Sequence, residues 1–133
     1  AGPAAEGFYW DTGYRLTSDE GPWVKWQIDF AKKYGRDDKT ANSHNYANGI
    51  MAAQVAVEAM RRVKESGKSV TRESLVNALN SMNGDNAYET LTTVGPVSFS
   101  KTDRMGVDYL QLYVVKGGVF KSEGKPFQPE YLK

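Results

Sequence analysis

Apolar positions are unevenly spaced along this chain, and the spacing divides it into elements. The most regular run has apolar side chains at 46, 50, 53, 57 and 60, with a second row at 52, 56, 59 and 63 that widens the stripe. Steps of three and four are the helical period, so the pattern predicts a helix over 44–65. Ser43 is placed to cap its start and Gly67 follows its end. Within the stripe only Asn48, Gln54 and Glu58 are polar. An arc this wide is expected on a helix covered on most sides. Its small members, Ala47, Gly49, Ala52, Ala53, Ala56 and Ala59, would let another backbone approach closely. The run is too short and too interrupted to span a bilayer.

The other segments are shorter. Gly7–Trp10 reads as a brief aromatic strand with Phe8 and Trp10 on one face, followed by an irregular connector over 11–20. Pro22 opens a helix in which Trp23, Trp26, Phe30 and Tyr34 form one row and Val24, Ile28 and Ala31 the next, and Gly35 ends it. Residues 36–42 read as a polar loop. Thr71 can cap a third helix with Leu75, Val76, Leu79 and Met82 as its buried row, and 83–94 reads as loop. Residues 95–99 form a short strand, 101–106 a polar excursion and 109–115 the best strand. Gly117-Gly118 turns it into a hairpin with 119–121, and the tail from Ser122, with Gly124, Pro126 and Pro129, is expected to wrap over a surface. Three amphipathic helices therefore face few β segments. A helix like 44–65 normally covers a parallel sheet of buried strands, so much of that sheet is expected upstream.

Composition narrows the function classes. The chain has 133 residues, one domain's worth, with 17 basic and 16 acidic side chains and a net charge of +1. No basic excess argues for nucleic acid, and Arg61-Arg62-Lys64 suits the solvated end of a helix. With no cysteine there are no disulfides, thiol catalysis or cysteine metal sites. The first residues, Ala1-Gly2-Pro3, lack a methionine, so either a leader has been removed or this is a piece of something longer.

Candidate chemistry is sparse. The single histidine, His44, stands beside Ser43, and chain neighbours rarely present side chains to each other as a catalytic triad requires. There is no metal-ligand spacing and no phosphate loop. The start of the long helix is more informative. Its first N–H groups carry partial positive charge that favours a carboxylate, and Tyr46, Asn45 and His44 add a ring face and polar groups. The competing reading makes Tyr46 the first packing residue of its stripe. Trp10, beside the 11–20 connector, can line a cleft or simply belong to an alternating strand.

The order of these features resembles one family. Ala5-Glu6-Gly7, the Trp26…Phe30…Tyr34-Gly35 helix and His44-Asn45-Tyr46-Ala47-Asn48-Gly49 carry the likeness, followed by Glu58-Ala59-Met60 and Leu75-Val76-Asn77-Ala78-Leu79. Gly95-Pro96-Val97-Ser98-Phe99, Asp103-Arg104-Met105-Gly106 and Gly117-Gly118-Val119-Phe120 complete it. The chain is similar to the C-terminal part of a branched-chain amino-acid-type extracytoplasmic solute-binding protein of an ABC importer. The resemblance implies an α/β fold with two lobes joined by hinge strands, the upstream parallel sheet missing. It implies residues 1–10 ending a segment of lobe 2, 11–20 as a hinge crossing, 21–94 as the helical part of lobe 1, 95–107 as the return crossing and 108–133 as the C-terminal strands of lobe 2. It implies no catalysis, no cofactor and no metal, and a precursor with a signal peptide exported to the periplasm. The partners implied are a small amino acid or organic acid, an ABC permease, and the remainder of its own lobes or a swapped copy. Tyr46 maps to a ligand-contacting tyrosine, and Trp10, Asn45 and His44 stand as further ligand-binding candidates. The alternative is a self-standing α+β interaction module that binds a protein through the apolar face of helix 44–65.

Overall fold

In the computed structural model, residues 3–130 are described; the parts of the expected segments 1–10 and 108–133 that fall on 1–2 and 131–133 lie outside the described residues. The helices are α1 (Pro22–Lys33), α2 (Asp38–Ala41), α3 (His44–Glu65) and α4 (Arg72–Asn80). The strands are β1 (Tyr9–Thr12), β2 (Val97–Ser98), β3 (Gly106–Val107), β4 (Leu110–Lys116) and β5 (Val119–Phe127). One sheet has the order β1-β4-β5, a second pairs β2 with β3, and every pairing is antiparallel among the described residues. The expected α/β mixture is present without a parallel sheet.

The core forms where the sequence supplies both sides of a contact. Val55, Ala59 and Val63 on α3 pack against Ala78 of α4, Met82 just after it and Val97 of β2. Met82 and Val97 are fully buried. α4 is held at its start by a reciprocal cap in which Thr71 Oγ1 accepts from Ser74 N while Thr71 N donates to Ser74 Oγ. The opposite face of α3 is bare: Ala53, Ala56, Val57 and Met60 are exposed, Val57 by 60%. The expectation of a helix covered on most sides is not met by the described residues.

Two of the three polar breaks in the α3 stripe tie the helix to other segments, and the third braces it from within. Asn48 Oδ1 accepts from Tyr14 Oη at 3.0 Å, and Gln54 Oε1 accepts from Leu91 N at 3.2 Å. Glu58, buried on the same helix, accepts from Arg61 and Arg62 at 2.7 Å. Arg62 in turn donates to Asn86 O at 2.9 Å and pins the loop after α4.

Several elements differ from the sequence expectation. β1 begins later and extends through Asp11 and Thr12, because both find ladder partners in Leu112 and Gln111 that override their turn preference. The polar loop 36–42 contains the single helical turn α2, started by Asp37 accepting from Thr40 N at 2.7 Å. The polar excursion 101–106 ends in β3, which pairs with β2. The tail from Ser122 does not wrap away but continues β5 to Phe127; β5 is an edge strand, where Pro126 is tolerated.

Three segments converge between the sheet and the helices. Tyr14 bridges Thr93, Val94 N donates to Gly13 O at 3.0 Å, and Arg15 N donates to Thr92 O at 2.9 Å. The Arg15 side chain adds Nε to Thr93 O at 2.8 Å. Thr92 Oγ1 donates to Ala47 O at 2.9 Å, while Thr90 and Thr93 share a hydrogen bond of 2.6 Å between their hydroxyls. Glycine is required here by close approach. A Cβ on Gly13 would run into Val107, and one on Gly95 would lie 2.5 Å from Tyr109 Cγ.

Candidate functional site

The sheet and the start of α3 meet at a small aromatic cluster. Trp10 pairs with Tyr113 and Phe120 pairs with Val115, and since side chains alternate along a strand all four lie on one sheet face. Trp10 and Phe120 are 5.4 Å apart between ring centroids, and the His44 ring meets Trp10 edge-on at 5.9 Å. Edge-to-face contacts at this distance suit the ring quadrupoles. The cleft they border has a volume of 350 Å³ and is also lined by Leu16, Thr17, Ser18, Asn42 and Ser43.

The 13–20 connector is fastened above this face. Tyr113, fully buried, donates its hydroxyl proton to Asp19 Oδ2 at 2.6 Å and accepts from Leu16 N at 3.3 Å. Burial, then the Asp19 carboxylate, push the Tyr113 hydroxyl well above the usual tyrosine range. Arg15 also lies over the Trp23 ring, 5.6 Å from its centroid. On the far side of the connector a cavity of 470 Å³ is charged, with Arg15, Asp19, Glu20 and Lys121 among its lining residues.

The structure divides the four candidates from the sequence. Trp10 and His44 share the 350 Å³ cleft. Asn45 and Tyr46 face away from it, into a groove of 570 Å³ between α1 and α3 that also involves Trp26, Phe30, Ala53 and Val57. All three α3 residues belong to the same helical turn, so the two hollows open on opposite flanks of one helix end. The expected free N–H groups are largely taken there: Asn45 N donates to Ser43 Oγ at 3.2 Å and Tyr46 N to Ser43 O at 3.0 Å. A carboxylate therefore gains less at this helix end than the sequence suggests.

Ser18, Phe120 and Tyr113 carry no sequence signal for this role. Ser18 lies in an irregular connector, and Phe120 and Tyr113 read only as strand residues. The Gly117-Gly118 turn fixes the register that brings Phe120 opposite Val115, and that pairing was the one available clue.

The chain is similar to known proteins along its length. A family model described as "Periplasmic binding protein" matches residues 1–122. A branched-chain amino acid ABC transporter protein from Thermus thermophilus, solved with bound valine, shares 36% identity at a TM-score of 0.86, over 98% of this chain and 36% of that one. A leucine-binding protein from Thermotoga maritima matches at 20% identity and a TM-score of 0.58, over 98% of this chain and 33% of that one, and supports the fold alone. The chain thus spans about a third of the length of these structures. None of the curated proteins matches it. No helix among the described residues is long and apolar enough to cross a membrane.

Proposed function

The chain belongs to the periplasmic binding protein family, and on that premise we propose that it forms the C-terminal part of a two-lobed, extracytoplasmic binder of a small amino acid or related organic acid. Residues 1–10 and 108–133 then belong to one lobe, 21–94 to the other, and 11–20 and 95–107 cross between them. The observation that carries this reading is the meeting of two otherwise separate units, the β1-β4-β5 sheet and the start of α3, at a cleft bordered by Trp10 and His44. Ligands favour such interfaces between units, with aromatic walls and a few polar groups.

The solute lies across the end of α3, with Trp10 and His44 on one flank and Tyr46 with Asn45 on the other. Closure stabilises the liganded form to the extent that the solute binds it more tightly than the open form. The closed protein then delivers the solute to an ABC permease. No step is chemical: the chain is a binding-protein chain and not an enzyme.

Calorimetry on the two-lobed protein tests the assignment. Tyr46→Ala and Trp10→Ala are each expected to weaken solute binding about tenfold or more, the usual loss at an aromatic anchor, while circular dichroism shows an unchanged fold. Unaltered affinity in both variants would remove these residues from the site.

A further inference from the structure

The 13–20 connector is laced to its neighbours in the reverse of its chain order. Its first half comes straight from β1, yet it is bonded to the segment between α4 and β2. Gly13 O accepts from Val94 N, Arg15 N donates to Thr92 O and Arg15 Nε donates to Thr93 O. Its second half leads into α1, yet it is fastened back to the sheet through Tyr113 of β4. The first lacing is spread over several backbone groups. The second hangs on a single side-chain hydroxyl.

Both parts of that second lacing are held firmly. β4 is the middle strand of its sheet and Tyr113 is fully buried, so close packing keeps the ring in place. Leu16 and Asp19 are closed into one turn, Asp19 N donating to Leu16 O at 3.0 Å and Leu16 N to Asp19 Oδ2 at 3.3 Å. The Tyr113 hydroxyl seats in this turn. It donates to the same Asp19 oxygen at 2.6 Å and accepts from Leu16 N at 3.3 Å. A hydrogen bond to a carboxylate is among the strong ones. Pro22, the first residue of α1, follows closely, so the turn is the immediate lead-in to that helix. Rotating α1 away from the sheet pulls Asp19 off the hydroxyl and leaves buried polar groups unpaired, which is costly.

We infer that the Tyr113 hydroxyl and the Leu16–Asp19 turn form a clasp that sets the resting angle between the two lobes. The inference rests on the two-lobed reading above, in which α1 and Tyr113 belong to different lobes. The arrangement the clasp holds is the one in which Trp10 and His44 meet. Tyr113 does not line their cleft, so it acts on solute binding as a positioning residue. It sets the fraction of unliganded protein already in this arrangement, and apparent affinity scales with that fraction.

The test is the distance between lobes in the unliganded two-lobed protein. Spin labels on Glu73→Cys in α4 and Lys125→Cys in β5, both exposed positions, report it by pulsed electron paramagnetic resonance. Tyr113→Phe keeps the ring and removes the hydroxyl, and is expected to broaden the distance distribution. Asp19→Ala should broaden it equally, and the double variant should go no further than either single one, since both break one interaction. Asp19→Asn keeps an acceptor for the hydroxyl and should restore the narrow distribution. With valine as the probe, Tyr113→Phe should bind about threefold to tenfold less tightly than wild type. Unchanged distances in Tyr113→Phe, even with a lower denaturation midpoint, would overturn the clasp and make the pair a support of the fold alone. Single effects that add in the double variant would overturn it too. A wild type that binds no valine while the distances respond as expected would weigh against the solute-binding reading and leave the clasp standing.

Discussion

The convergence of the three segments around Gly13, Thr93 and Gly95 and the bare face of α3 are opposites in the same molecule. At the convergence the chain supplies every partner: backbone meets backbone, buried threonine hydroxyls close on carbonyls, and two glycines leave no room for a methyl group. On the bare face the side chains are apolar, small and ordered at helical spacing, yet Ala53, Ala56, Val57 and Met60 face outward. A close fit therefore marks where the described residues complete each other. An apolar row without one marks a surface shaped for something else.

The strongest way to break the comparison is to crowd the tight region. Gly95→Ala places a methyl group against Tyr109 Cβ and Cγ, the near end of that side chain, which cannot swing clear. The expected cost is about 1–3 kcal/mol, read as a lower denaturation midpoint. A neutral result would mean that the convergence yields easily. The φ of Gly95 is not positive, so the cost arises from the contact and not from backbone strain.

Next in size is the ionic tie on α3. Hydrogen bonds from Arg61, then Arg62, hold the Glu58 carboxyl at about 2 against the opposing effect of burial. A carboxylate whose folded value is depressed stabilises the fold fully above its unfolded value of 4.5, and that stability is lost as pH falls through about 2. Glu58→Gln should cost about 1 kcal/mol at neutral pH. The gap between variant and wild type in acid unfolding, followed by circular dichroism, should shrink below pH 4.5. A gap that does not change with pH would show that Glu58 acts by packing alone.

A smaller effect is expected where the chain seals its own hairpin. Glu6 accepts from Gly117 N at 3.0 Å and from Gly118 N at 3.3 Å, at a turn where both glycines have φ above 60°, 64° and 78°. A two-residue turn with positive φ at both positions is one that glycine adopts at little cost. Glu6→Ala should remove about 0.5–1 kcal/mol and raise amide exchange at those two glycines, measured by nuclear magnetic resonance. Unchanged exchange would mean the turn stands without the carboxylate.

Legibility in the sequence follows the same division. The long helices and the β4–β5 hairpin are readable because period and turn chemistry are local: Ser43 and Thr71 cap as their positions suggest, and Gly117-Gly118 sets the turn. β3, the extension of β5 past Pro126 and the shift of β1 to Asp11 and Thr12 are not readable, because each depends on a partner strand distant in sequence. The polar interruptions Asn48 and Gln54 look like flaws in an apolar stripe until their partners Tyr14 and Leu91 are in place. For the site, residue types singled out Trp10 and His44, but not that they touch each other while Asn45 and Tyr46 turn away.

The smallest expected effect bears most on what the bare face is for. Val57 is 60% exposed and lies in the middle of the uncovered row. In this chain alone Val57→Lys should change stability by no more than about 0.5 kcal/mol, as at an ordinary surface position. If the proposed two-lobed arrangement holds, the same lysine is buried against a sheet in the whole protein. There it should cost several-fold more, since an unpaired buried ammonium is among the few changes that exceed about 3 kcal/mol. Equal, small effects in both contexts would mean that nothing covers this face of α3, and the case for a missing sheet would fall. A large effect in the short chain would mean instead that a second copy already covers the face, which sedimentation of the chain at rising concentration would reveal.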